Sequence, residues 1–151
     1  MRLILSLLFA LAPSVSGAVV RDWPGVAPCH LSLGDCLNAS LAGDTVRLNT
    51  NGPITEQIVL LRPVSLIAGP GFRPLFTATS AHSISSTESV PWTLTLRGLR
   101  FVGGSLFVRF NASAAGDVVL DQLRFTGQAS DTQTQLGIRL QQTGTQSSQV
   151  R

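Results

Sequence analysis

The stretch LTLRGLRFVGG, Leu94–Gly104, is written a second time as VVLDQLRFTG, Val118–Gly127. Setting Leu94 over Val118 puts Leu96 over Leu120, Leu99 over Leu123, Arg100 over Arg124, Phe101 over Phe125 and Gly103 over Gly127, an offset of 24 residues. Leu94 and Leu96 alternate with Thr93, Thr95 and Arg97, the period-two pattern of a strand with one buried face. Leu99 and Phe101 resume the apolar set after a step of three instead of two, and the same break separates Leu120 from Leu123. A bend between two short strands produces that step while both apolar sets still point inward. A further strand follows each copy, Val108-Arg109-Phe110 after the first and Ile138-Arg139-Leu140 after the second. The second comes six residues later relative to its copy, and we place the extra length in QASDTQTQ, Gln128–Gln135. The unit is strand, bend, strand, loop, strand. Self-similarity on this length in an all-β unit points to one turn of a stacked parallel solenoid.

Upstream of the repeat the chain changes character. Arg2 precedes the apolar run LILSLLFALA, Leu3–Ala12, and the small residues of PSVSGA follow. Charge, apolar run and small residues in that order are a secretory signal peptide, with cleavage expected after Ala18. The run is too short to span a bilayer, and no other apolar run approaches the length needed. HLSLGDCLNASLAGDTVRL, His30–Leu48, reads as a short helix and then a strand. Ser32 caps the helix, Asp35 adds a carboxylate in its first turn, Leu33, Cys36, Leu37 and Leu41 share one face, and Gly43 ends it. ITEQIVLL (Ile54–Leu61) and VSLIAG (Val64–Gly69) are β-rich runs bounded by Gly and Pro, and TATSAHSISSTES (Thr77–Ser89) reads as a polar loop. The expected division is a signal peptide over 1–18, an N-terminal segment over 19–29, a β-solenoid over 30–140 with a cap helix at 32–42, and a polar tail over 141–151, flexible or the start of a missing coil.

Composition removes some functions. Charged residues make up 13% of the chain, the net charge is +3, and every basic residue is a scattered Arg. Nucleic-acid binding needs a dense basic patch, so that class is set aside, and a weakly acidic partner such as an anionic glycan remains compatible. Cys29 and Cys36 are even in number and close in sequence, and in an oxidising compartment they are expected to form a local disulfide. Closing so short a loop contributes about 2 kcal/mol. Only His30 and His82 accompany them as soft ligands, which argues against zinc.

CLNASLAGDTVRLNTNGPITEQIVLLRPVSLIAGPG, Cys36–Gly71, resembles the N-terminal cap and first coils of right-handed parallel β-helix proteins of the pectin-lyase-like fold, and LTLRGLRFVGG is similar to their coil phrase. The resemblance covers roughly residues 30–140. It implies an all-β, right-handed parallel β-helix of about three to four coils, starting near Val46, Val64, Leu94 and Val118, with a short N-terminal capping helix. It implies export to the periplasm, cell surface or medium. It leaves activity open, since such proteins include polysaccharide lyases, hydrolases and adhesins.

Stacking fixes which residues meet. Arg97 is expected beside Asp121, Arg100 beside Arg124, and Arg109 beside Arg139. Like charges in register cost a few tenths of a kcal/mol. Solvated surface arginines are the plainer reading, and a ladder of guanidiniums gripping carboxylates or sulfates of an acidic sugar is the functional one. No two acids fall at equivalent positions of adjacent coils, so no catalytic residues, metal site or cofactor are expected. His82 reads as an ordinary loop histidine; Trp23 and Trp92 have the capacity to stack on sugar rings, and Trp92, after Pro91 at a strand start, reads as core cover beside the long loop. The sequons at Asn38 and Asn111 are formal matches only.

The function expected is an exported non-catalytic β-helix module, adhesin-like or glycan-binding, forming an N-terminal fragment of a longer protein. The alternative is the N-terminal part of a polysaccharide lyase or glycoside hydrolase. Expected partners are an acidic polysaccharide or cell-surface glycan, and a second copy through the uncapped C-terminal coil, because a solenoid needs both ends covered. The mature chain should therefore self-associate, and a monodisperse monomer by light scattering would sink that expectation.

Overall fold

The computed structural model describes residues 17–77, 81–103, 105–110, 115–127, 137–142 and 149–150. The apolar N-terminal run read as a signal peptide, up to residue 16, and Asn111 and Asp131 lie outside them. The described chain winds through about four turns of a parallel β-solenoid. A leading strand, β1 (Val20–Trp23), and the short helix α1 (Leu33–Asn38) come first. The first turn carries β2 (Thr45–Leu48), β3 (Pro53–Ile54) and β4 (Val59–Leu60). The second carries β5 (Ser65–Ala68), β6 (Leu75–Phe76) and β7 (His82–Ser86). The third carries β8 (Trp92–Arg97), β9 (Arg100–Val102) and β10 (Ser105–Phe110). The fourth carries β11 (Gly116–Asp121), β12 (Arg124–Thr126) and β13 (Gly137–Gln142), and β14 (Gln149–Val150) opens the next.

Three parallel sheets result. The first runs β1-β2-β5-β8-β11-β14, the second β3-β6-β9-β12 and the third β4-β7-β10-β13. Register aligns one apolar column per sheet: Val46, Leu66, Leu96 and Leu120 in the first, Ile54, Phe76, Phe101 and Phe125 in the second, and Leu60, Ile84, Val108 and Leu140 in the third. The three columns meet inside, where Val46, Leu66, Leu96, Phe76, Phe101, Ile84 and Val108 are fully or almost fully buried. Phe76 stacks on Phe101 at 5.1 Å and Phe101 on Phe125 at 4.8 Å between ring centroids. Each such pair adds about 0.5–1.5 kcal/mol beyond its area burial.

The bend read between Leu96 and Leu99 is real. Arg97 and Asp121 are register partners, and a two-residue corner follows each. Its first residue is left-handed in both coils, Gly98 with φ +70° and Gln122 with φ +53°. Gly98 is obliged to be glycine twice over, because a Cβ there would also lie 2.9 Å from the Ala68 Cβ of the coil below. Gln122 stacks above a residue without a Cβ, and carries the left-handed strain alone.

Several expectations change. The cap helix ends at Asn38 rather than reaching 42, because Ser40 Oγ donates to the Cys36 carbonyl and the Leu41 N–H turns to the Asp44 carboxylate. Leu41 is accordingly exposed. Residues 19–29 hold a strand, since β1 pairs with β2 as the first rung. The run Ile54–Leu61 splits into parts of two strands around a turn. The Ser/Thr-rich stretch is not simply a loop: His82–Ser86 is β7, with His82, Ile84 and Ser86 facing in. In the third sheet the register of the second copy is off by two from the sequence alignment. Phe107 partners Arg139, and Arg109 partners Gln141. The polar end of the chain supplies β14, which pairs Val150 with Val118 and begins a further rung.

The Cys29–Cys36 disulfide forms as expected, with both residues buried under the cap. Ser32 Oγ accepts the Asp35 N–H, and Glu56 from the first turn accepts the N–H groups of Leu33 and Gly34 at 2.9 and 2.8 Å, completing the helix start.

Two substitutions at one corner should move stability in opposite directions. Gln122→Gly should raise unfolding free energy by up to about 1 kcal/mol, and Gly98→Ala should lower it by about 1–3 kcal/mol. Urea denaturation of the mature chain measures both.

Candidate functional site: an arginine corner

The corners joining the first sheet to the second differ in length. Between β8 and β9 only residues 98–99 intervene, and between β11 and β12 only 122–123, whereas β5 and β6 are joined by 69–74. The longer corner, GPGFRP, begins as a type II turn. Pro70 occupies its second position, Gly71 its third with φ +79°, and the Phe72 N–H bonds the Gly69 carbonyl at 3.0 Å. The Arg73 N–H is tied to Asn51 Oδ1 at 2.7 Å. This projecting corner walls one side of a cavity of about 430 Å³, and the shorter corners of the next two coils recede beneath it. Gly98 and Ala68 line it with Gln122, and four arginines reach it: Arg73, Arg97, Arg100 and Arg124.

Arg100 and Arg124 meet as the sequence alignment expects, as register partners on β9 and β12. Arg97 is the register partner of Asp121, yet no salt bridge joins them, and among the described residues no carboxylate lines the cavity. Arg100 is partly held: its Nη2 donates to the Arg73 carbonyl at 3.0 Å, while its Nε is buried with no hydrogen-bond partner among the described residues. Arg109 and Arg139 do not join this site. They lie on β10 and β13 of the third sheet, two register positions apart. Arg73 was the member that alternation could not find, because it stands in a turn; the GPG signal for a long corner was its only trace.

The remaining acids near the cap serve the fold. Asp22 takes two hydrogen bonds from Arg47 and one from Asn49 Nδ2 at 2.9 Å. The Arg47 bonds hold its carboxyl below the ordinary range, against the smaller opposing effect of burial. Asp44, in the GDT turn, is buried and accepts the backbone N–H groups of Val19 and Leu41, each at 2.9 Å. A second cavity, about 510 Å³, lies at the start of the first sheet and brings Glu88 and Asp117 to a wall shared with Trp92 and Thr93. Trp92 is buried, and its ring covers Gly116, where a Cβ would come within 2.1 Å of it, so its place is in the core cover. Among the described residues no three His, Cys, Asp or Glu side chains gather as a metal site, and no helix is long and apolar enough to cross a membrane.

His82 is a core residue, which overturns its reading as a loop histidine. It packs edge-on against Phe76 at 5.4 Å and Phe101 at 5.3 Å, and its Nδ1 accepts the Ile58 N–H at 3.1 Å. Its pattern, His-Ser-Ile-Ser-Ser, alternates with period two, but small polar residues at the other positions hid the strand.

Comparison with protein-family models, with curated proteins and with solved structures finds no match for this chain. Function is therefore argued from the corner itself.

Burial disfavours the charged imidazole and holds the His82 pKa below its ordinary value. Below about pH 6.5 the unfolded chain gains a proton at this site that the folded chain resists. Stability should therefore fall from pH 7.5 to pH 5, a window above the range where Asp22 titrates. Urea midpoints across it should decline for the parent and decline less for His82→Gln; equal slopes would refute the assignment.

Proposed function

We propose that the chain is an exported, non-catalytic β-solenoid module of pectin-lyase-like type, and that it binds an acidic polysaccharide or cell-surface glycan at the arginine corner. The observation that carries this reading is a recess lined, among the described residues, by Arg73, Arg97, Arg100 and Arg124 and by no carboxylate. Guanidinium groups match carboxylate and sulfate in a planar two-point geometry, and they stay charged at any physiological pH. Four uncompensated cations around one recess repel one another, by up to about 1 kcal/mol per close pair in water. An anion in the recess would relieve that repulsion. Export rests on the leader read in the sequence and on the disulfide, which belongs to an oxidising compartment.

The second reading, the N-terminal part of a polysaccharide lyase or glycoside hydrolase, draws on the cavity shared by Glu88 and Asp117. Two carboxylates lining one recess are a requirement of most glycoside hydrolysis. Release of new reducing ends from a polysaccharide, lost in Glu88→Gln and Asp117→Asn, would support it.

For the binding reading, the double substitution Arg100→Ala with Arg124→Ala should weaken capture on an immobilised linear polyuronate at least about tenfold, with circular dichroism unchanged. Parent binding should fall steeply between about 20 and about 300 mM NaCl, as screening requires. Equal capture by the double variant would overturn it.

A further inference from the structure

Resting on the anion-binding reading of the corner, we propose that its ligand is a linear polyanion laid along the solenoid axis, with one acidic group taken on each of three successive coils. Arg73 stands in the second turn, Arg100 in the third and Arg124 in the fourth. Leu75, two residues after Arg73, is the register partner of Arg100, and Arg100 is the register partner of Arg124. Arg100 and Arg124 thus stack directly along the solenoid axis, in which neighbouring strands repeat every ~4.8 Å, and Arg73 stands one coil earlier, two residues out of register at the corner. Their common cavity is open across all three coils, since residues from Ala68 through Gln122 and Arg124 line it together.

Two observations favour a repeating ligand over a single small anion. A lone sulfate or carboxylate is satisfied by one or two guanidiniums, and it leaves cations on the other coils without a counter-charge. Arg100, the middle rung, is also the one whose orientation is fixed. Its Nη2 is engaged by the Arg73 carbonyl, and its buried Nε remains a donor without an acceptor among the described residues. A ligand oxyanion at this rung meets a guanidinium already held by the Arg73 carbonyl, which lowers the ordering cost of binding there. An extended sugar chain with one carboxylate or sulfate per ring spaces its charges on about the length of the strand repeat. Phe72, partly exposed at the rim, offers an apolar edge for a ring face.

The experiment is a length series. Linear oligouronates of one to six residues are titrated onto the mature, disulfide-bonded chain by calorimetry at low salt, beside a neutral hexasaccharide and a single-stranded oligonucleotide of equal charge. Affinity should rise at least about tenfold from one to three residues and then level off, since three rungs are available. Arg124→Ala, which alters an exposed side chain at the last rung, should abolish the gain from two residues to three and leave the dimer within about twofold of the parent. Anion binding without a break at three, or a uniform loss at every length in Arg124→Ala, would overturn the axial arrangement while leaving an anion site in place. Tighter binding of the oligonucleotide would assign the corner to nucleic acid and overturn it as well. No binding by any acidic oligomer or polymer would sink both this inference and the reading on which it rests.

Discussion

Phe76, Phe101 and Phe125 lie face to face along the second sheet, tilted by only 16° and 9° from ring to ring. Rings can stack this way only if each turn of the chain returns to the same phase, one strand spacing higher. That condition sets the rest. It requires the columns of the first and third sheets to stay in register, so Leu66 must meet Leu96 and Ile84 must meet Val108. It requires the chain to turn sharply between columns, which is where the left-handed residues Gly98 and Gln122 stand. Length differences between coils cannot be absorbed inside the columns, so they are expelled to the corners and loops. The inward residues are therefore constrained by one another, and the corners are not.

The arginine corner follows from that freedom. The second coil places residues 69–74 where the first places 49–52 and the third and fourth place two residues each, and the surplus projects outward as a wall. Register then multiplies a single arginine into a column, since any residue just outside the core in one coil has a partner directly above. Stacking that orders the core also orders what lies on the surface, whether or not the contact is favourable. Arg100 over Arg124 is unfavourable by itself. A solenoid that tolerates such a column has a surface suited to ligands with a matching period, and the geometry was set by the core before any ligand was present.

The doubled phrase made the third and fourth turns legible, with the bend, the second strand and the Arg100–Arg124 meeting, because both copies carry large apolar residues with an unmistakable step. The disulfide and the Ser32 cap were legible for local reasons of the same kind. What escaped notice was written in small or polar residues. The strand at His82–Ser86 alternates histidine, isoleucine and serine, and composition reads it as loop while the pleat reads it as strand. The misplacement of Arg139 has a similar cause. Ile138-Arg139-Leu140 matches Val108-Arg109-Phe110 in chemistry, but the observed register pairs Leu140 with Val108. A slip of two residues keeps every side chain on the same face of a strand, so alternation alone cannot detect it. Arg73 was invisible for a different reason, since a turn residue has no periodicity to betray it.

The two ends of the described solenoid treat polar groups differently, and the contrast bears on function. At the cap, nearly every charge is engaged by the protein itself. Glu56 holds two helix N–H groups, Asp44 two more, and Asp22 is wrapped by Arg47 and Asn49. These carboxylates close the open start of the core, and removing Glu56 or Asp44 leaves backbone donors unpaired at about 1–3 kcal/mol. At the arginine corner the order is reversed. Four cations gather with no acid in the lining among the described residues, and the buried Arg100 Nε has no hydrogen-bond partner among them. A chain that partners its cap acids so completely has no shortage of means to neutralise a cation; Asp121 stands one strand spacing from Arg97 and forms no salt bridge with it. The cationic charge at the corner is thus a local property of the exposed turns, separable from the forces that hold the fold, and it is the place to which the proposed anionic partner is assigned.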